Sequence, residues 1–178
     1  MSKEYQNIFL DSNVKNFHWS GKNRIGHRRY AGRQLADFIS KYRELHPNEK
    51  INVVAHSHGG NVPLEAIRRG ASIDNLVTIG TPVRWEHRGD RENIGMWYNV
   101  YSPADQVQNH GGGWFELFGQ ETGPAGRKFP EADVNIKLYM NTGPIKTHSD
   151  ILRRSSEPVY RAKEYIESEN IKLRETYY

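Results

Sequence analysis

The stretch Ile51–Asn61 reads INVVAHSHGGN, and it decides the class of fold. Its first part, Ile51–Ala55, is a compact apolar run of the kind expected for a central parallel strand. The run ends at His56-Ser57-His58-Gly59-Gly60, and a short helical pattern follows directly. A buried strand that passes through a tight turn into a helix predicts an α/β domain with a mainly parallel sheet.

The segments on either side of this stretch also alternate between strand and helix patterns. Four further runs are predicted as strands: Val14–Trp19, Asn75–Ile79, Met96–Tyr101 and Val134–Met140. Three helices are predicted: one from about Arg24 to His46, a short one closing at Gly70, and one over Glu157–Leu173. Between the last two strands, residues 106–131 form a connection long enough to be typical of functional or disordered segments.

The composition limits the class of protein further. A chain of 178 residues with 36% apolar and 11% aromatic residues is too rich in apolar side chains for disorder, and it predicts one domain over residues 1–178. No apolar run approaches the roughly 18 residues of a membrane span, and the first residues lack the apolar region of a secretory signal. We therefore expect a cytoplasmic protein, or one exported without such a signal. The absence of cysteine excludes disulfides, thiolate zinc sites and cysteine nucleophiles.

The charge balance is mildly basic, with a net charge of +4. The densest basic cluster precedes and enters the first long helix, and it consists of Lys22, Arg24, Arg28, Arg29 and Arg33. We interpret it as a solvated helix face, and we expect no nucleic-acid partner. A surface for another anionic partner is the alternative.

Ser57 is the candidate nucleophile in the central stretch. A sharp strand-to-helix turn lifts a serine hydroxyl above the carboxyl edge of the sheet, and small residues flank it because the turn leaves little room. Ala55 and Gly59 occupy those flanking positions. The helix that follows directs backbone N–H groups toward an oxyanion formed at the serine. The alternative is an ordinary glycine-rich corner without chemistry.

A serine nucleophile needs a histidine base and an acid. On this type of turn the chain order is serine, then acid, then histidine, and the acid follows a later strand. Asp105 follows the strand Met96–Tyr101, and His148 lies in a predicted loop between the last strand and the closing helix. Both fall at the carboxyl edge that carries Ser57.

Other acids and histidines fit this order less well. Asp74 precedes its strand and so lies at the opposite edge of the sheet. Asp90 follows no clear strand but lies after Gly80-Thr81-Pro82, and it stays open as an alternative acid. His87 and His110 are alternative bases, although neither follows the last strand.

The histidines on either side of Ser57 suggest a rival chemistry. Histidine pairs separated by one residue occur in zinc sites, so His56 and His58 would fit a metallohydrolase. The turn at Ser57 turns their side chains apart, and the sequence offers no third clustered ligand. We therefore expect neither a metal nor a cofactor.

These motifs together resemble those of the α/β-hydrolase superfamily, in particular bacterial serine esterase and lipase-like proteins. The turn Ala55-His-Ser-His-Gly59 resembles a variant nucleophile elbow of small bacterial lipases. FHWSGKN at Phe17–Asn23, VTIGTPV at Val77–Val83 and HSDI at His148–Ile151 are similar to further segments of these hydrolases. The resemblance covers about residues 14 to 151.

The resemblance implies a three-layer α/β-hydrolase-like fold and a carboxylic ester hydrolase acting on esters or lipids, phospholipids included. Ser57 would be acylated, His148 would be its base, and Asp105 would orient His148. The apolar patch around Trp114 and Phe118 would then be a lid or acyl-binding loop. The alternative for this patch is a small cluster packed under a long loop.

The chain departs from the family at its N-terminus. The family has an earlier strand, and the loop after that strand donates a second oxyanion N–H, besides the one here expected from His58. The strand Val14–Trp19 is preceded only by residues 1–13, too few for an earlier parallel strand and its crossover. Either Val14–Trp19 takes that strand's place and Trp19 begins the donor loop, or the missing piece lies outside this chain. We therefore expect a sheet reduced at the N-terminus.

Two other functions stay open beside the esterase. One is a non-catalytic or weakly active hydrolase-fold module that binds an anionic partner. The other is the enzymatic domain of an antibacterial effector toxin, which would imply an immunity protein as its partner.

Overall fold

The computed structural model describes residues 2–87, 91–111, 115–117, 120–122, 124–169 and 175–177. Its helices are α1 (Ser2–Phe9), α2 (Ile25–Leu45), α3 (Asn61–Ile67), α4 (Gln106–Asn109), α5 (Pro144–Arg154) and α6 (Ser156–Glu169). Its strands are β1 (Asn52–His56), β2 (Ile73–Ile79), β3 (Ile94–Tyr101), β4 (Phe115–Leu117), β5 (Gln120–Thr122), β6 (Val134–Lys137) and β7 (Glu175–Tyr177). None of the helices in these ranges is long and apolar enough to cross a membrane.

The main sheet has the strand order β1-β2-β3-β6-β7, and all its neighbouring strands run parallel. Strands β4 and β5 form a separate antiparallel pair. The α/β class and the parallel sheet predicted from the sequence are thus present. Four predicted strands correspond to β1, β2, β3 and β6, although β6 ends at Lys137 rather than at Met140.

Helices cover both faces of this sheet because neighbouring residues of a strand point to opposite faces. On β2, Leu76 packs in a cluster with residues of α2 and α3, while Val77 packs in a second cluster with residues of α1, α5 and α6. On β3, Trp97 and Tyr98 divide between the same two clusters. The carboxyl ends of the parallel strands lie between these two helical layers. Sites in open α/β sheets form at that edge.

The prediction of a strand over Val14–Trp19 is wrong. Residues 11–23 have no helix or strand, and the side chains of Val14 and Phe17 are 43% and 37% exposed. The segment is held at its start by side chains, since Asn52 Nδ2 donates to Asp11 Oδ2 (3.3 Å) and Asn13 Nδ2 donates to the hydroxyl of Tyr42 (2.9 Å). A β-leaning run becomes a strand only when a neighbour pairs with its backbone, and here β1 is left as the edge strand.

The three helices predicted from the sequence are present. The helix predicted from Arg24 to His46 is α2, and the short helix before Gly70 is α3. The closing helix is α6, which is described as far as Glu169, and the remainder of its predicted span lies outside the described residues. Helix α1 was not predicted, and it buries Tyr5 and Ile8 on one side. Trp114 and Phe118, expected in a lid or acyl-binding loop, lie outside the described residues.

Candidate functional site

The turn after β1 places Ser57 in a conformation that few L-residues adopt. Its φ is +55°, and residues Ser57–Gly60 form a short 3₁₀ turn that leads into α3. A non-glycine residue at positive φ is strained and is often found where a side chain serves a function.

The close approach in this turn occurs at Gly60. A Cβ at Gly60 would lie 2.0 Å from Oγ1 of Thr81, so only glycine fits there. At Gly59, the position expected from the sequence to be crowded, a Cβ would meet only the indole nitrogen of Trp19, at 3.8 Å. Glycine is therefore required at Gly60, where the turn after β1 packs closely against Thr81, which follows β2.

Ser57, His148 and Asp105 form a continuous hydrogen-bonded chain. The hydroxyl of Ser57 lies 2.8 Å from Nε2 of His148, and Nδ1 of His148 lies 2.7 Å from Oδ2 of Asp105. An ionised carboxylate only accepts hydrogen bonds, so Nδ1 carries the proton and Nε2 accepts from the serine. This is the tautomer in which the imidazole can take the serine's proton.

Asp105 is completely buried and uses both carboxylate oxygens. Its Oδ1 accepts from the backbone N–H of Gln108 (2.8 Å) as the N-cap of α4, while Oδ2 contacts His148. The guanidinium of Arg127 also donates to the main-chain carbonyl of Asp105 (3.1 Å). Two contacts therefore fix the carboxylate and a third fixes the backbone of Asp105, and the sequence pattern does not reveal the contact from Arg127.

His148 lies within a helix, not in the loop that the sequence predicted. It belongs to α5, which begins directly after Gly143 with Pro144 at its first position. Proline at the first helical position is favourable because its missing N–H would have no partner there. The rigid helix, rather than a loop, therefore sets the position of the imidazole.

Three of the four competing residues lie away from Ser57. Asp74 accepts from Arg43 and from the backbone N–H of Ile51 at the opposite end of the sheet. His87 is buried with its Nε2 3.8 Å from Oε1 of Glu65, and it contacts neither Ser57 nor Asp105. His110 is exposed and contacts the carbonyl of Gln106. Asp90 lies outside the described residues.

His56 and His58, the pair that suggested zinc, point to different partners. His56 Nε2 lies 2.8 Å from the main-chain oxygen of His148, and its ring centroid is 4.7 Å from that of His148. Burial lowers the pKa of His56. Burial and the nearby Arg28 and Arg84 lower the pKa of His58 to about 3. In the part of the chain that the structure describes, no three His, Asp or Glu side chains form a metal-binding group.

The positive charges near His58 come from a buried cluster. Arg28 and Arg84 have almost no exposed surface, and both contact Oε1 of Glu86, at 3.3 and 2.8 Å. Arg84 also donates to the carbonyl of Gly111 (2.7 Å). The interpretation of Arg28 as part of a solvated helix face is therefore wrong, although Lys22, Arg24, Arg29 and Arg33 are exposed.

Two N–H groups at the turn that carries Ser57 are the oxyanion donors expected from the sequence or close to them. His58 is the residue after Ser57, and the first N–H groups of a helical turn have no acceptor within the turn. Trp19 approaches the same turn with its indole, whose Nε1 would lie 3.8 Å from a Cβ at Gly59. Within the described ranges, that N–H has no hydrogen-bond acceptor.

A cleft of about 740 Å³ runs along the open edge of β1. One wall is β1 with α2, including Val53 and Phe38, and the other is the irregular segment that contains Phe17. The cleft reaches His56 and Gly59, so it opens beside the turn that carries Ser57.

Comparisons with known proteins give this chain no relative. No family model matches it, and neither a curated protein nor a solved structure matches it significantly. Its function must therefore be argued from the geometry of the site.

Proposed function

We propose that this chain is a serine hydrolase of α/β-hydrolase type that cleaves carboxylic esters through an acyl-enzyme. The observation that carries the proposal is the chain of hydrogen bonds from Ser57 through His148 to Asp105, with distances of 2.8 and 2.7 Å. Three residues far apart in sequence meet at one edge of the sheet, in the order of hydrogen bonds through which a serine proton can pass to the imidazole.

The first half of the reaction forms the acyl-enzyme. As Oγ of Ser57 attacks the ester carbonyl carbon, Nε2 of His148 takes the hydroxyl proton. The tetrahedral intermediate collapses when the C–O bond to the alcohol breaks, and His148 returns the proton to the departing oxygen. Buried Asp105 holds Nδ1–H and stabilises the imidazolium that exists between these two transfers.

The second half repeats the same chemistry with water. His148 takes a proton from water, the hydroxide attacks the acyl carbonyl carbon, and the bond to Oγ of Ser57 breaks. Ser57 recovers its proton from His148, and the carboxylic acid leaves. Because the alcohol and the water exchange protons with the same base, turnover needs no second acid or base.

The oxyanion of both intermediates needs hydrogen-bond donors. We assign the backbone N–H of His58 as the first donor, because it follows the nucleophile at the start of the turn. The indole N–H of Trp19 is our candidate for the second donor. From the sequence, this donor is expected to be a backbone N–H of the loop that begins at Trp19. Its position beside Gly59, 3.8 Å from where a Cβ would stand, supports this assignment.

The neighbouring cleft supports an ester with an apolar acyl group. Its walls include Phe17, Phe38 and Val53, and its end at Gly59 lies beside the nucleophile. Polar side chains, among them Lys50 and Asn52, line the same cleft, and apolar surface combined with polar groups is typical of sites for small molecules.

Turnover of p-nitrophenyl butyrate by the wild type and by Ser57→Ala tests the proposal. We expect activity in the wild type and a loss of about 10⁶-fold in the variant, as for other serine nucleophiles. Ser40→Ala makes the same chemical change on the exposed face of α2 and serves as the matched control. Labelling with a fluorophosphonate should occur in the wild type and in Ser40→Ala. Equal labelling of Ser57→Ala would refute the nucleophile, and turnover that survives in it would refute the mechanism.

A further inference from the structure

The histidine before the nucleophile touches the catalytic histidine directly. His56 is the last residue of β1, and its Nε2 lies 2.8 Å from the main-chain oxygen of His148. A carbonyl oxygen only accepts, so Nε2 of His56 carries a proton and donates it. The two rings also lie against each other, with their centroids 4.7 Å apart and their planes at 38°.

We propose that His56 is a positioning residue that holds His148 at the distance from Ser57 that proton transfer requires. The inference rests on the proposed function of Ser57 and His148. Neither metal binding nor the proposed reaction explains why a histidine stands at position 56, whereas a positioning role does.

The argument starts from where the three reacting groups are anchored. Ser57 follows β1, whereas His148 belongs to α5, which packs on α4 and α6. The bond from Asp105 fixes the Nδ1 side of the imidazole, but it does not fix α5 relative to β1. The bond from His56 joins the end of β1 to the backbone of α5 at residue 148 itself.

This link matters because the distance from Ser57 to Nε2 depends on the relative position of β1 and α5. A general base must lie within about 2.6–3.2 Å of the proton donor, and the observed distance is 2.8 Å. A displacement of about 1 Å costs on the order of 10²-fold in rate. A hydrogen bond to the main chain and a ring against the imidazole restrict such a displacement.

The charge state of His56 suits this position. Burial lowers its pKa, and His148 and Asp105 are the ionisable groups that face it. A neutral ring beside His148 does not oppose the positive charge that His148 carries during the reaction. A second cation at a centroid distance of 4.7 Å would oppose it.

Two variants separate the hydrogen bond from the bulk of the side chain. His56→Leu keeps part of the bulk of the side chain but has no donor, and His56→Gln restores an N–H donor at a comparable reach. We expect His56→Leu to lower kcat for p-nitrophenyl butyrate by about 10²-fold. KM should change little, because the bond acts on the reacting groups and not on substrate binding. We expect His56→Gln to recover most of kcat.

A proton NMR measurement gives a readout that does not depend on activity. The Nδ1 proton of His148, bound to a buried carboxylate, should give a strongly downfield signal in the wild type and in His56→Gln. In His56→Leu it should broaden or disappear, because the imidazole is no longer held.

Equal kcat in His56→Leu and the wild type, equal loss in both variants, or an unchanged downfield signal in His56→Leu would each overturn the proposal. If the wild type shows no turnover, the esterase proposal fails, while the NMR comparison still tests the positioning of His148.

Discussion

Gly80 lies directly against Asp105. A Cβ at Gly80 would lie 3.2 Å from Oδ2 of Asp105 and 3.4 Å from Nδ1 of His148, the two atoms that form the acid–base hydrogen bond. The φ of Gly80 is +54°, so a side chain there would also strain the backbone. Because Gly80 has no side chain, Asp105 and His148 have room to form their hydrogen bond.

Gly80→Ala should consequently impair both stability and catalysis. We expect a loss of about 1–2 kcal/mol in the free energy of unfolding from the positive φ. We also expect kcat to fall by about 10-fold, because the methyl group pushes the paired atoms from their productive geometry. Urea unfolding and p-nitrophenyl butyrate kinetics measure the two effects.

Gly70→Ala is the matched control, because Gly70 has a φ of +88° and nothing within 4 Å of its Cβ position. This variant should lose similar stability and keep its kcat. A similar loss of kcat in both variants would show that backbone strain, and not contact with Asp105, causes the effect.

Asp105→Asn tests the tautomer of His148. Asparagine keeps the oxygen that accepts from Gln108, so α4 retains its N-cap, but its amide N–H₂ can face Nδ1 of His148. The imidazole then carries its proton on Nε2 and cannot accept from Ser57. We expect kcat to fall by about 10⁴-fold with stability nearly unchanged.

The comparison variant is Asp105→Ala, which removes the cap as well. It should lose activity to a similar extent and also about 0.5–2 kcal/mol of stability. Asp105→Asn with near-normal kcat would mean that the acid does not orient His148.

The central part of the fold could be predicted because it depends on local pattern. An apolar run followed by a tight turn and a helix specifies β1, the turn at Ser57 and α3 without knowledge of the remaining chain. The meeting of Asp105 with His148 follows from one further rule, that the carboxyl ends of parallel strands share an edge. Chain order and strand position therefore suffice to predict that these residues lie close together.

The features that could not be predicted depend on partners distant in sequence. The local sequence predicts that Arg28 is a solvated cation. It is instead buried against Glu86, which lies 58 residues later in the chain. Val14–Trp19 has the composition of a strand, but no neighbour pairs with it. His56 resembles half of a zinc site, and only the position of α5 shows that it contacts His148.

The low pKa of His58 predicts a specific sensitivity to acid. In the unfolded chain the pKa of His58 is near its ordinary value of 6.5, whereas in the folded protein burial lowers this pKa to about 3. The stability associated with neutral His58 is therefore complete above pH 6.5 and is lost as the pH falls toward 3. The loss amounts to at most about 1.4 kcal/mol for each pH unit.

Other groups titrate in the same range, so His58→Gln serves as the reference. We expect the difference in unfolding free energy between the wild type and His58→Gln to be constant above pH 7. Below pH 6 it should shift in favour of the variant as the pH falls. Urea unfolding at a series of pH values measures it, and parallel curves down to pH 4 would contradict the low pKa.

Trp19→Phe tests whether the indole N–H stabilises the oxyanion. Phenylalanine keeps an apolar ring against the core but removes the donor, so we expect kcat to fall by about 10²-fold, with little change in KM. Phenylboronic acid forms a tetrahedral adduct with a nucleophilic serine, and its Kd should rise by a similar factor because the adduct needs the same donor. Trp85→Phe, at a position 60% exposed, is the matched control and should change neither value. A fall in kcat without weaker boronate binding would place the effect of Trp19 in the packing of the turn, and the second oxyanion donor would then have to be another group.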